Sequence, residues 1–175
     1  MNARAQRGFS MIEVLITIAI LMVGLLGLAG LQTRVSTAEF EAYQRAQALV
    51  IIQDILERMN ANRKNLASYV STGISTGALQ TCTGKTGAAY DLCQINNQLI
   101  GAAETSGGTK LGAMMGAQAC IATSTTDTST YIVTVAWQGV TPTVAPSNGC
   151  SKGNYGNEKL RRAVSMPLRF ACLTC

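Results

Sequence analysis

The chain has 175 residues, room for one ordinary domain once a long apolar stretch near its N-terminus is set aside. Only 13% of the residues are charged, the net charge is +5, and histidine is absent. That composition excludes an imidazole-based catalytic triad, and the basic excess is too small to argue for nucleic-acid binding by itself.

The stretch from Arg7 to Leu31 reads RGFSMIEVLITIAILMVGLLGLAGL. Glu13 is its one charge after Arg7, and Val14 to Leu31 carries none. At about 1.5 Å per residue, Phe9 to Leu31 as a helix spans roughly 34 Å, enough for a hydrocarbon core of ~30 Å. The spacing predicts a membrane-spanning helix over 9–31, its N-terminus held cytoplasmic by Arg4 and Arg7. A removable secretory signal has a shorter apolar core followed by its cleavage site, and this run is too long. Gly24, Gly27 and Gly30 interrupt the span. They either let neighbouring helices approach closely or let the helix loosen when it leaves lipid.

Glu13 is costly a few residues inside an apolar helix. It sits at headgroup level, is protonated, is tolerated by a long helix, or meets a cationic partner in an assembled state. The motif around it, Arg7-Gly8-Phe9-Ser10-Met11-Ile12-Glu13, resembles the class III signal of type IV prepilins and pseudopilins. The resemblance implies cleavage between Gly8 and Phe9 by a membrane-embedded prepilin peptidase, then N-methylation of Phe9. Residues 1–8 are then a cleaved leader. The physics agrees with an assembly role: cleavage creates an amine at Phe9, and the Glu13 carboxylate of one subunit can pair with the Phe9 amine of a neighbour. Glu13 then sets axial register in a filament.

From Gln32 to about Asn65 there is no proline and no glycine. Val35, Ala38, Ala42, Leu49, Ile52, Leu56 and Met59 recur at helical steps, which predicts an amphipathic continuation of the helix over 32–65. Leu49 to Met59 is its core-facing part. Glu41–Arg45 and Asp54–Arg58 are spaced for i,i+4 pairing. Residues 66–175 are expected to form a periplasmic α+β domain. Ser68 to Gly116 is rich in Ser, Thr, Gly and Ala. It reads as long connections with a short helix around Tyr90 to Ala103 and another near Leu111 to Ala119.

The β part has clearer periodicity. Ala119 to Thr123 is a short strand candidate, and Asp127 to Ser129 a turn. Thr130 to Gln138 alternates, with Tyr131, Val133, Val135 and Trp137 on one face. Trp137, the only tryptophan, is a core anchor. Gly139 to Asn157 is a loop with Pro142 and Pro146. Leu160 to Cys172 alternates again, with Leu160, Val164, Met166, Leu168 and Phe170 on one face. Pro167 makes this an edge strand or a bulged one. The expected product is an antiparallel sheet of three or four strands laid on the amphipathic half of the helix.

The six cysteines, Cys82, Cys93, Cys120, Cys150, Cys172 and Cys175, all follow the span. In an exported domain they point to a disulfide framework in an oxidising periplasm. The spacing suggests Cys82 with Cys93, and the other pairings stay open. Metal and redox roles are disfavoured, because the only close pair, Cys172 and Cys175, lies at the extreme end.

Helix first, sheet second and a cysteine-bearing C-terminal region resemble the type IV pilin fold. Four segments, Gly24 to Gln32, Ile55 to Arg63, Tyr131 to Gly139 and Leu160 to Arg162, resemble PilV-type minor pilins, the type IV pilus modification proteins. No catalytic constellation, phosphate loop or metal spacing is visible, so a structural and interaction protein is expected, with no cofactor. The resemblance implies a minor pilin that primes pilus assembly and sits at low abundance at or near the tip. Its partners are other minor pilins, the major pilin, the prepilin peptidase and the inner-membrane assembly machinery. Its location is the bacterial inner membrane, then the pilus surface. A type II secretion pseudopilin is the alternative within that architecture. An adhesin or DNA-binding module is the alternative outside it, resting on Lys152, Lys159, Arg161, Arg162 and Arg169. Arg161 and Arg162 face opposite ways on a strand, and nucleic acid is disfavoured.

Overall fold

The computed structural model describes residues 8–75, 77–101, 105–106, 109–110 and 114–170. Helix α1 runs Met11–Ala61. A 3-10 helix at Arg63–Tyr69 leads to strand β1 (Ser71–Ile74) and helix α2 (Gly87–Leu99). A two-residue hairpin follows, β2 (Thr105–Ser106) with β3 (Thr109–Lys110), then β4 (Gln118–Thr123), β5 (Thr130–Gln138) and β6 (Arg161–Arg169). The chain divides into two compact units, Met1–Phe40 and Glu41–Cys175.

In the first unit α1 starts where the carbonyl of Ser10 accepts the N–H of Glu13 and of Val14, at 3.0 and 3.3 Å. Among this unit's described residues only Thr37 is half-buried, and every other side chain is exposed. The threonine hydroxyls are satisfied within the helix. Thr17 donates to the Val14 carbonyl, Thr33 to that of Ala29 and Thr37 to that of Thr33. A hydroxyl bonded back to its own helix makes no further polar demand, so Thr17 costs little in an apolar surrounding. By length and composition this helix can cross a membrane.

In the second unit α1 buries one face. Gln44, Ala48, Ile51, Ile52, Ile55 and Met59 are buried, while Leu49 and Leu56 are half-buried and Ala42 is exposed. The buried stripe is therefore rotated from the expected one: Ala48, Ile51 and Ile55, which are not part of that one, are buried beside Ile52 and Met59. Opposite them lie Tyr131, Val133, Val135 and Trp137 of β5, Ala119 and Ile121 of β4, and the partly buried Val164, Met166, Leu168 and Phe170. Phe170 meets Tyr131 edge-on, ring centroids 5.9 Å apart.

The sheet order is β1-β4-β5-β6, antiparallel throughout. It is an α+β fold whose main sheet has four strands, within the expected three or four, and β6 is an edge. In the β5–β6 ladder Tyr131 faces Leu168 and Trp137 faces Arg162. The Phe170 N–H donates to Ser129 O and the Gly139 N–H to Leu160 O, so the odd residues of β5 form the hydrogen-bonded pairs. Pro167 faces Ile132, a non-bonded position, and its missing N–H costs the ladder nothing.

Four expectations change. First, α1 ends at Ala61 instead of continuing to Asn65, which has non-helical φ −125°, ψ 32° within the 3-10 segment. Second, α2 begins at Gly87 and ends by Ile100, where Gly101 (φ 67°) donates to the Gln98 carbonyl in a C-terminal cap. Residues 102–103 of the predicted span lie outside the described ones. Third, the described part of the expected helix near Leu111 to Ala119 is not helical. Leu111 to Ala113 lie outside the described residues, and Met114–Ala117 is a turn with Gly116 at φ 59°. Fourth, Asp54–Arg58 pair at 2.9 Å, but the ion-pair partner of Glu41 is Arg162.

Gln44 is 1% exposed, and neither its amide nitrogen nor its oxygen has a hydrogen-bond partner among the described residues. A buried unpaired amide destabilises by about 1–3 kcal/mol. Gln44→Leu is therefore expected to raise unfolding stability by roughly 1–2 kcal/mol in a urea titration, with an unchanged denaturant slope.

Candidate processing site and domain clamps

At the N-terminal end, Gly8, Phe9 and Ser10 precede the helix and are exposed, Phe9 at 84%. The Gly8–Phe9 bond thus lies on accessible chain outside the helix. Glu13 sits in the first turn of α1, where a carboxylate complements the positive end of the helix dipole. Around Gly24, Gly27 and Gly30 a methyl group would meet nothing within 4 Å. Nothing within the single chain requires glycine at these three positions.

The first clamp lies at the start of the second unit. Glu41 Oε1 accepts the Thr141 N–H at 3.2 Å, the Thr141 hydroxyl at 2.9 Å and Arg162 Nη2 at 3.2 Å. The same guanidinium donates to the Thr141 and Lys159 carbonyls. One carboxylate thereby ties the β5–β6 loop and the edge strand to α1. Gly139 makes room: a Cβ there would stand 2.8 Å from Arg162 Cζ. Burial alone pushes the Glu41 carboxyl up, but the Thr141 hydroxyl and amide and the Arg162 guanidinium outweigh it and hold it below its ordinary value.

The second clamp is Arg161, on the opposite face of β6 and 1% exposed. It donates to Glu158 Oε2 at 2.7 Å, to the backbone and side-chain oxygens of Asn148 at 2.9 and 3.0 Å, to Cys150 O at 3.0 Å and to Pro146 O at 2.9 Å. A buried guanidinium needs this many acceptors, and the loop supplies them by wrapping it. Cys150 in that loop is bonded to Cys120 of β4, against Ala136 and Ala163. The loop is closed at its far side by Tyr155, whose hydroxyl donates to Gly116 O at 2.9 Å.

A third set fixes the end of α1. Arg58 pairs with Asp54 at 2.9 Å and with Asp91 of α2 at 3.3 Å, and the buried Tyr69 hydroxyl donates to Asp91. Burial, with the Asp91 carboxylate beside it, pushes the Tyr69 phenol up. Cys82 is bonded to Cys93 of α2, and the Asn97 amide exchanges two hydrogen bonds with Gln80, at 2.9 and 2.8 Å. Cys172 and Cys175 lie outside the described residues.

The expected basic set is not one surface. Arg161 is buried under its loop, Arg162 is engaged with Glu41, and Arg169 is 79% exposed beside Asp127. The sequence left the partner of Arg162 unassigned, because Glu41 lies 121 positions away, whereas Glu158, the partner of Arg161, lies only three positions off. Among the described residues no group of three or more Cys, Asp or Glu is placed to hold a metal ion.

Residues 3–29 match the prokaryotic N-terminal methylation motif, and residues 30–96 match the Tt1218-like model, type IV pilin Tt1218. No curated protein and no solved structure matches the chain. The two matches adjoin at Ala29 and Gly30, near the end of the apolar span, and together they make the first half of the chain similar to a prepilin methylation signal followed by a type IV pilin segment.

The Glu41 clamp makes a pH-dependent prediction. The folded carboxyl titrates below its ordinary 4.5, so its stabilising contribution is complete above that value and is lost as the pH falls below it. Urea midpoints are expected to drop with acidification below about pH 4.5 less steeply in Arg162→Ala and in Gly139→Ala than in wild type. The double variant should add little to either single one, since both break one interaction.

Proposed function

We propose that this chain is a type IV pilin of the minor class: a low-abundance subunit that joins other minor pilins to prime filament assembly and sits at or near the tip. The observation that carries the reading is the methylation motif leading directly into a helix whose first unit is exposed, followed by a type IV pilin segment. The PilV-type segments at Gly24 to Gln32, Ile55 to Arg63, Tyr131 to Gly139 and Leu160 to Arg162 support the minor class.

In this reading the chain is first anchored in the inner membrane, N-terminus cytoplasmic and domain periplasmic. The peptidase hydrolyses the Gly8–Phe9 bond, and the freed Phe9 amine is methylated. The helix then leaves lipid for the packed core of the filament. There the Glu13 carboxylate meets the Phe9 amine of a neighbouring subunit. Leaving one partner of such a buried pair alone costs about 3–5 kcal/mol, enough to disfavour wrong registers. Gly24, Gly27 and Gly30 offer small surfaces for adjacent helices. The domain, stapled by Cys82–Cys93 and Cys120–Cys150, suits an oxidising compartment.

Mass spectrometry of the protein from its native membrane is expected to find N-methylated Phe9 as the first residue, and a start at Met1 overturns the reading. Glu13→Ala is expected to be processed normally yet recovered from sheared pili at least tenfold less than wild type. Deleting the gene is expected to reduce surface piliation, and unchanged piliation would count against the priming role.

A further inference from the structure

Where α1 ends and α2 begins, an open groove of about 520 Å³ is lined by Arg58, Asn62, Asn65, Ser68, Tyr90 and Asp91, with the small residues Ala61, Gly87, Ala88 and Ala89 between them. It shares Arg58 and Asp91 with the third set of contacts and is otherwise separate from the processing site and from the clamps at Glu41 and Arg161. Its floor is fixed. Asp91 is held by Arg58 and Tyr69, and the Asn62 amide donates to the Tyr69 hydroxyl at 3.3 Å. Side chains locked in this way can present ligand-binding groups without reordering.

Three features together select a ligand class. The two charged side chains of the lining, Arg58 and Asp91, pair with each other at 3.3 Å, so neither is offered unopposed to a ligand. The rim holds unspent hydrogen-bonding capacity. Asn65 donates one amide hydrogen to Asn62 Oδ1, while its own Oδ1, the Ser68 hydroxyl and the Tyr90 hydroxyl have no protein partner among the described residues. The Tyr90 ring is 41% exposed and offers an apolar face beside these groups. Mixed donors and acceptors next to an aromatic face, without net charge, complement a ligand with many hydroxyls and apolar C–H faces. The volume falls in the range of small-ligand sites and holds roughly two or three sugar rings.

We propose that this groove binds a neutral oligosaccharide, with Tyr90 stacking against a ring and Asn65 and Ser68 bonding its hydroxyls. The proposal goes beyond the pilus reading and does not rest on it, because binding is measured on the isolated chain.

The test uses the full chain in a detergent without a sugar headgroup. The probe is an array of neutral di- to tetrasaccharides of hexoses and N-acetylhexosamines, followed by calorimetric titration of any hit. Saturable binding is expected, weakened at least tenfold by Tyr90→Ala and at least threefold by Asn65→Ala. Val144→Ala, on an exposed loop elsewhere, should leave it unchanged, and all three variants should keep the wild-type melting temperature. Absence of binding overturns the proposal. So does binding that Tyr90→Ala leaves intact, or binding confined to sulfated or otherwise charged saccharides used as controls.

Discussion

The second unit depends on one strip of helix, Ala48, Ile51, Ile52, Ile55 and Met59, meeting the inner face of β4 and β5. Most of these side chains are fully buried, as are their partners Ala119, Ile121, Val133 and Val135. Each such aliphatic chain removed from water contributes about 1.5–3 kcal/mol, more than any single polar contact in the domain. The polar clamps act at the borders of this strip. Glu41 fixes its start, Arg58 and Asp91 its end, and Arg161 the loop behind the sheet. The apolar contact supplies the driving force, and the clamps decide where the edge strand and the connecting loops lie.

Much of this was legible in the residues. The span could be read because it lacks charge over a bilayer's thickness. β5 could be read because Tyr131, Val133, Val135 and Trp137 alternate with smaller or polar residues. Pro167 restricted β6 to an edge or a bulged strand, and the sheet order makes it the edge. What escaped reading is equally physical. β1 is four residues, Ser71–Ile74, of which only Ile74 is buried, so it shows no alternation. The turn at Met114–Ala117 looked helical because its chain is apolar, and a positive φ at Gly116 cannot be seen in composition. Gln44 is a polar residue in a buried place, which inverts the pattern that locates a core. The pairing of Glu41 with Arg162 joins distant parts of the chain, so no local spacing signals it.

The resemblance to minor pilins is carried by residues whose structural roles can be named. Ile55 and Met59 belong to the buried strip, and Trp137 anchors its far side. Gly139 admits the Arg162 side chain, and Arg161 and Arg162 are the two clamps on β6. The groove beside Tyr90 is lined mainly by residues outside those segments.

The meander β4-β5-β6 is also a sequence of events. Each strand pairs with the next one made, so these three strands can add in the order of synthesis, the last across the long loop that Arg161 gathers. The final strand is the one that covers the long open side of β5, and it brings both arginines with it. Until it arrives, the Glu41 carboxylate has no cation, the loop before it has no guanidinium to wrap, and β5 presents a bare edge to any passing chain. Completion of the domain is therefore reported by its last strand. A chain cut short before Arg161 would lack its two clamps and its edge protection together, a defect that cellular quality control could recognise by that one exposed strand.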